Sequence, residues 1–351
     1  MKKVYLITGA AGHLGSALCM RLKERGEAMR ALCMRGEDTT LVRQLGAEVF
    51  FGDVTQPETM RPFFTLPEGT QAVLLHCAGV VEIADKHSPL AEKVNVGGTR
   101  NVMALAGEYG VSRIVYVCSV HAMPDLAKGM VKTEIEDYNP ARVEGAYAKS
   151  KAQAAREVLA LAKEGLPAVV VLPSGIIGPY SGKGNHLVQF VKNYANGKLP
   201  ACVKGGYDFV DVRDVADGIL AAAERGRVGE SYILSGEYHT LKETLTTLRT
   251  ITHGKKVVTV PHLLAMMASP FAVAHARRKG QKPLFSPYAL GVILENGNFS
   301  HEKATRELGY TTRDFTETLS DTVDWLKEAG EIREKQPRER KSGKRVRAYA
   351  S

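Results

Sequence analysis

The stretch Val4-Tyr5-Leu6-Ile7-Thr8-Gly9-Ala10-Ala11-Gly12-His13-Leu14-Gly15 decides the fold. Four consecutive apolar residues read as a buried strand, and a helical pattern over 16–25 follows the glycines directly. Strand, glycine turn and helix in that order aim backbone amides and a helix N-terminus at a pyrophosphate. Gly9 suits the tight turn, Gly12 the close approach of backbone to ligand, and Gly15 the packing of helix on strand. The spacing Gly-x-x-Gly-x-x-Gly departs from the Gly-x-Gly-x-x-Gly fingerprint, so taken alone it also fits an ordinary turn.

Downstream, apolar runs at 28–34, 48–51, 72–76, 114–117 and 168–172 alternate with helical stretches. That rhythm predicts an α/β fold with a doubly wound parallel sheet. After 172 it changes: 174–184 is rich in Gly, Pro and Ser, a helix is expected over 186–196, and strand and helix return over 209–225. From 241 the chain reads as mostly helical with short extended pieces, closing on a helix around 315–329. The expected division is a dinucleotide-binding core (1–175 plus 205–235), a smaller, mostly helical substrate-binding region (176–204 plus 236–330) and a disordered basic tail (331–351).

Composition narrows the function classes. With 44% hydrophobic and 24% charged residues, the chain of 351 reads as an ordinary soluble globular protein. Five cysteines (Cys19, Cys33, Cys77, Cys118, Cys202) form no Cys-x-x-Cys pair, which points to no disulfide framework, no metal site and a cytoplasmic location. The N-terminal apolar run is too short for a signal-peptide core. The apolar stretch 263–274 is broken by Ser269-Pro270 and falls short of the ~20 residues that span a bilayer. It reads as a buried helix pair, with a cover over an apolar substrate or a membrane-surface contact as alternatives. Of the net charge of +9, the last 21 residues carry +5, eight basic against three acidic, leaving +4 for the body. No specific nucleic-acid partner is expected, and a monomer or homodimer suits the rest.

The chemistry gathers at strand ends, where a doubly wound sheet binds its ligands. Asp53 follows Phe50-Phe51-Gly52, placed to accept from an adenine amino group. Ala78-Gly79 follow the strand ending at His76, where small residues let backbone pass close to a ribose. Ser119 follows Ile114-Val115-Tyr116-Val117-Cys118, 28 residues before Tyr147. In Tyr147-Ala148-Lys149-Ser150-Lys151 the spacing i, i+4 puts Tyr147 and Lys151 on one helix face, where an ammonium beside the phenol favours its ionised form. A phenol of reference pKa near ~10 then becomes an acid and base at neutral pH. The pentapeptide alone also fits a surface Tyr and Lys on an Ala-rich helix.

Together these motifs resemble the extended short-chain dehydrogenase/reductase family, nearly to Gly330. The matches include the turn from Thr8 to Gly15, Gly52-Asp53-Val54, His76-Cys77-Ala78-Gly79, Asn95-Val96-Gly97-Gly98-Thr99, Ser119, Tyr147 to Lys151, Pro173 to Pro179 and Phe209 to Ala216. Within the family, His76 to Ile83 and Lys303 to Tyr310 look like the branch of 3β-hydroxysteroid dehydrogenases and dihydroflavonol reductases. Where the related sugar-nucleotide epimerases carry Arg-Asp-Tyr this chain reads Tyr207-Asp208-Phe209, which lacks the bidentate grip on a diphosphate.

The resemblance implies a Rossmann core and an oxidoreductase interconverting a secondary alcohol and a ketone on an apolar ring compound, steroid or flavonoid in type. Tyr147 would exchange the proton, Lys151 bond the nicotinamide ribose, and Ser119 polarise the carbonyl. The dinucleotide would lie along Gly9, Gly12, His13, Leu14 and Gly15, reach Arg35, Asp53 and Val54 at its adenosine end, and pass Cys77, Ala78 and Gly79 toward Pro173, Gly175 and Ile176. His121, Tyr180 and Tyr207 are the expected substrate contacts, with His121 also fitting a loop histidine. Asn95 would fix neighbouring backbone, or serve as a cap. After the second strand NAD-selective relatives place Asp or Glu, whereas Cys33-Met34-Arg35 stands here, so NADP(H) is expected over NAD(H). A sugar-nucleotide epimerase or dehydratase with bound NAD, and a non-catalytic NADP-binding sensor, are the competing readings.

Overall fold

The computed structural model describes residues 2–81, 88–181, 185–278 and 287–332. The first half alternates as expected: β1 (Lys2–Thr8), α1 (His13–Glu24), β2 (Ala28–Cys33), α2 (Thr40–Gln44), β3 (Glu48–Phe51), α3 (Pro57–Phe64), β4 (Thr70–His76), α4 (Pro89–Ala91) running into a π-helix (Glu92–Gly98), α5 (Thr99–Glu108), β5 (Arg113–Val117), α6 (Ala146–Lys163) and β6 (Ala168–Pro173). The second half runs β7 (Gly175–Ile177), α7 (His186–Ala195), β8 (Ala201–Val203), β9 (Gly206–Asp211), α8 (Val212–Arg225), β10 (Ser231–Leu234), β11 (Glu237–Thr240), α9 (Leu241–Thr252), β12 (Val258–Val260), α10 (His262–Arg278), α11 (Pro287–Val292), α12 (Glu302–Leu308) and α13 (Phe315–Glu328).

Seven parallel strands form one sheet in the order β10-β6-β5-β4-β1-β2-β3. A parallel sheet must be covered on both faces, and β6 is buried at every residue. One cover is built by α3, α5 and α6 through Phe63, Phe64, Met103 and Val158. The other is built by α1 and α8 through Leu18, Leu22, Val215 and Ile219, joined by Ala304 and Leu308 of α12. Strand order reverses between β1 and β4, which opens a crevice beyond Thr8 and His76 at their carboxyl ends.

The smaller region has its own core: Val191 and Tyr194 of α7, Leu248 of α9 and Leu319 and Val323 of α13 close around Phe209. It is not helical alone, because β11, β9 and β7 pair in a second sheet and β12 with β8 in a third. Thus β9, within the 205–235 stretch assigned to the nucleotide-binding core, pairs outside the main sheet, while α12, from the 236–330 stretch, packs on the main one. At the C-terminal end Glu331 pairs with Lys192 and Ile332 is buried; the remaining tail, 333–351, lies outside the described residues.

One expectation fails. The 263–274 stretch is not a buried helix pair: α10 is a single helix, and Leu263, Met267 and Phe271 are 71%, 66% and 80% exposed. Pro270 does not end it. A proline lacks the N–H that would serve the carbonyl four residues back, and the Ser269 hydroxyl donates to that carbonyl, Met266 O, at 2.9 Å. Among the described residues no helix is long and apolar enough to cross a membrane.

Asp208, on β9, is buried and accepts a hydrogen bond from Gly236 N at 2.8 Å. Burial pushes its carboxyl up to about 7. A folded-state value above the unfolded one means that its favourable contribution is complete at acid pH and is lost as pH rises from about 4 through about 7. Asp208→Asn is therefore expected to gain stability over the parent above that window, by on the order of a few kcal/mol, and to lose the advantage below it. Urea unfolding across pH checks this; a difference that does not change with pH contradicts it.

Candidate active site

The crevice floor is the glycine turn. Gly9 holds φ +66°, and a Cβ on it would stand 2.9 Å from both Cα and N of Ala78. On Gly15 a Cβ would meet Gly9 O at 2.3 Å and Ala10 Cα at 2.6 Å, so bare backbone is required where α1 crosses the turn. The helix begins at His13, earlier than periodicity placed it, because extended Gly12 is its N-cap and no side chain caps its first turn. A Cβ-free cradle ending on an uncapped helix N-terminus fits the pyrophosphate of a dinucleotide.

A buried hydrogen-bond chain ties this turn to the far wall. Ala78 N donates to Thr8 Oγ1 (3.1 Å), Thr8 Oγ1 meets His76 Nδ1 (2.7 Å), His76 Nε2 meets Thr99 Oγ1 (3.1 Å), and Thr99 donates to Asn95 O (2.6 Å). The Thr99 proton is spent on Asn95 O, so His76 must donate through Nε2 and accept the Thr8 hydroxyl through Nδ1. Only this tautomer satisfies every group. Burial holds the imidazole down to about 3, so it stays neutral. Asn95, inside the π-helix, then clamps the next segment: its Oδ1 accepts from Val80 N (2.8 Å) and its Nδ2 donates to Val80 O and Ser150 Oγ (3.0 Å each). Ser150 in turn donates to Tyr147 O at 2.8 Å. Asn95 is thus a backbone clamp rather than a cap.

Three candidate catalytic side chains converge above this frame. Ser119 leaves β5 in extended backbone and its hydroxyl accepts from His121 N at 3.3 Å. Tyr147 stands in the first turn of α6, its ring 6.1 Å from that of His121 and nearly perpendicular to it. Lys151 is buried on the same helix. Its ammonium donates to Val117 O at 2.8 Å and lies 5.1 Å from the Tyr116 ring centre. Burial lowers its pKa. A Cβ on Gly79 would come within 3.5 Å of Lys151 Nζ and 3.1 Å of Asn95 Oδ1, so glycine there leaves the ammonium open to the crevice. Burial, then the charge of Lys132, pulls His121 down to about 4, which makes it a neutral imidazole at neutral pH.

The remaining expected residues divide between the crevice and its supports. His13 braces the site: Nε2 donates to Pro179 O and Nδ1 accepts from Asn185 Nδ2, both at 2.8 Å, while Asn185 also caps α7 and bonds Ile176 O. Leu14, Cys77 and Ile176 pack against the α1 cover. Asp53 accepts from Thr55 N at 2.8 Å, and Asn101 holds Val54 O at 2.9 Å, fixing the loop after β3. Pro173 ends β6, and Gly175 runs so close to β9 that a Cβ would meet Asp208 O at 2.7 Å. Arg35 is exposed and has no ion-pair partner among the described residues. Tyr180 packs on the α1 and α8 cover, across the sheet from α6, and Tyr207 lies edge to face with Phe209, 5.9 Å away, in the smaller region. Glu82, Ile83 and 182–184 lie outside the described residues.

Several contributors are not legible in the sequence. Thr8 and Thr99 stand in the sequence as letters of a motif, although a polar residue closing a buried apolar run is a signal that it bonds something. Lys132, buried and paired with Asp125 at 2.7 Å, carried no signal. Glu37 folds back from beyond β2 to accept Met34 N at 2.8 Å, so a carboxylate does stand near Arg35 after all.

A doubly wound sheet with this cradle, and a candidate Ser, Tyr and Lys above it, is the arrangement of the short-chain dehydrogenase/reductase class. The NAD dependent epimerase/dehydratase family matches residues 5–235, and the chain belongs to that family, the extended short-chain dehydrogenases/reductases. The sterol demethylase protein B of Methylococcus capsulatus is 30% identical over 332 residues, covering 93% of this chain and 99% of that one. A 4-hydroxy-2-methyl-3-oxo-4-farnesyl-3,4-dihydroquinoline-1-oxide ketoreductase of Stigmatella aurantiaca is 29% identical over 332 residues, covering 92% and 96%. The crystal structure of gox2253 superposes with a TM-score of 0.79 at 33% identity, covering 94% of this chain and 99% of that one.

Thr8→Val keeps the shape of the side chain but strands Ala78 N and His76 Nδ1. The expected outcome is a loss of about 1–3 kcal/mol per stranded group in denaturant unfolding, together with weaker dinucleotide binding by calorimetry. Unchanged stability and affinity would show that the chain of bonds does not hold the crevice.

Proposed function

We propose that this protein is an NAD(P)(H)-dependent oxidoreductase that interconverts a secondary alcohol and a ketone on an apolar ring compound. The observation that carries the reading is Tyr147 beside a neutral His121, with Ser119 on the adjoining turn and Lys151 open to the dinucleotide crevice. The nicotinamide, when bound, supplies or accepts the hydride. Tyr147 then gives its phenolic proton to the carbonyl oxygen in reduction, or takes it from the alcohol in oxidation. Ser119 donates a hydrogen bond to that oxygen as charge develops. Lys151, anchored at Val117 O, offers its remaining N–H groups to the ribose and its positive charge to the phenolate.

Two points favour this over a sugar-nucleotide dehydratase or epimerase. His121 holds no proton at neutral pH beyond its single N–H, so it is poorly suited to protonate a leaving hydroxyl. Tyr207-Asp208-Phe209 offers no guanidinium for a diphosphate, and the buried Asp208 could only repel one when ionised. An apolar ring substrate agrees with the names of the two relatives, one a ketoreductase of a farnesylated ring and one bearing a sterol in its name. For the coenzyme, Arg35, exposed and without an ion-pair partner among the described residues, can pair with a 2′-phosphate, which supports NADP(H), while the nearby Glu37 carboxylate counts against it.

Tyr147→Phe is expected to cut turnover by about 10²–10⁴-fold on a ketone that the parent reduces, with dinucleotide affinity unchanged. The measurement is loss of reduced-coenzyme absorbance over a panel of steroid and flavonoid ketones. Full activity in the variant, or product formed with no net coenzyme consumption, contradicts the reading. Arg35→Ala should raise KM for NADPH far more than for NADH; equal effects would remove the coenzyme preference.

A further inference from the structure

Between Glu243 and Glu295 the chain contains no acidic residue. Residues 244–294 hold seven Lys and Arg and no Asp or Glu. Since residues 1–330 carry +4 in all, the rest of that body is at −3 without these seven. The asymmetry is local, and α10 lies at its centre. Of the seven cations, Arg249, Lys255, Lys256 and Arg278 are exposed, and none forms an ion pair among the described residues.

The polarity of α10 is inverted. It rests on the protein through small or polar groups: Ala265 packs on the smaller core, Ser269 is buried, and the His262 ring bonds Leu290 O of α11 at 3.1 Å. The large side chains face out. Leu263, Met267 and Phe271, each one helical turn from the next, form a ridge with Leu264 beside it at 56% exposure. Contiguous large apolar groups on one helix face are a costly surface to leave in water.

We infer that α10 and its flanking cations form a docking face for a bilayer surface that bears anionic headgroups. The ridge would lie among the acyl chains near the headgroups, with Lys255 and Lys256 ahead of the helix and Arg278 at its last residue meeting phosphate. Charge complementarity selects this occupant. A second copy seated on the same face would bring two sets of the exposed cations Arg249, Lys255, Lys256 and Arg278 together, and the chain's own C-terminal tail is basic too. A convex ridge, not a groove, also suits insertion better than capture of a peptide.

The test is flotation of the full-length protein with phosphatidylcholine vesicles, with and without phosphatidylglycerol. Binding is expected only with the anionic lipid, and it should weaken as salt shortens the screening length from about 10 Å to about 3 Å. Met267→Asp combined with Phe271→Asp should reduce it at least about tenfold while circular dichroism and melting stay unchanged, because both positions are exposed. Binding that survives the double variant assigns attachment to the basic tail and overturns the proposal. So does failure to bind either vesicle, and so does self-association that the same variant abolishes, which would make a second copy the occupant.

Discussion

The Cα of Ala78 stands where a side chain on Gly9 would have to be. That single approach, β4 running on past the carboxyl end of β1, sets the width of the candidate coenzyme crevice. It is held by buried polar bonds rather than by packing, since the hydroxyl of Thr8 receives the Ala78 amide and passes its own proton to His76. A neutral imidazole is the group that can do this: it accepts on one side, donates on the other, and carries no charge that burial would penalise.

From that anchor the order propagates toward the chemistry. Thr99 hands the chain to the backbone of Asn95, whose side chain clamps Val80 and reaches Ser150, and Ser150 bonds the carbonyl of Tyr147. The phosphate cradle and the candidate acid–base helix are thus parts of one hydrogen-bonded body. The π-helix matters here, because its wider turn is where Asn95 sits. On the other side of the sheet His13 does similar work, joining the first turn of α1 to the loop after β7 and to the cap of α7, so that the dinucleotide end and the smaller region meet through a second neutral imidazole.

The smaller region answers to a different constraint. Its core, around Phe209, Leu248 and Leu319, takes the small Ala265 from α10, while that helix presents Leu263, Met267 and Phe271 to the outside. Apolar content alone did not distinguish the two situations: a run of Leu, Met and Phe reads as core whichever way it points. Even the break expected at Ser269-Pro270 vanished, because the serine hydroxyl serves the carbonyl that the proline deserts.

The sequence by itself determined the doubly wound sheet and the glycine cradle, and it marked Ser119, Tyr147 and Lys151 as candidates. These depend on short-range facts, namely buried strand runs, a turn that tolerates no Cβ, and residues at strand ends or one helical turn apart. Only the tertiary structure decided which atom each polar group meets. Lys151 turned to Val117 O and the Tyr116 ring, a buried Lys132 lowered His121, and Tyr180 went to the far face of the sheet. Such pairings join residues tens to hundreds of positions apart, and burial, which sets both their strength and their protonation, exists only once the layers have closed.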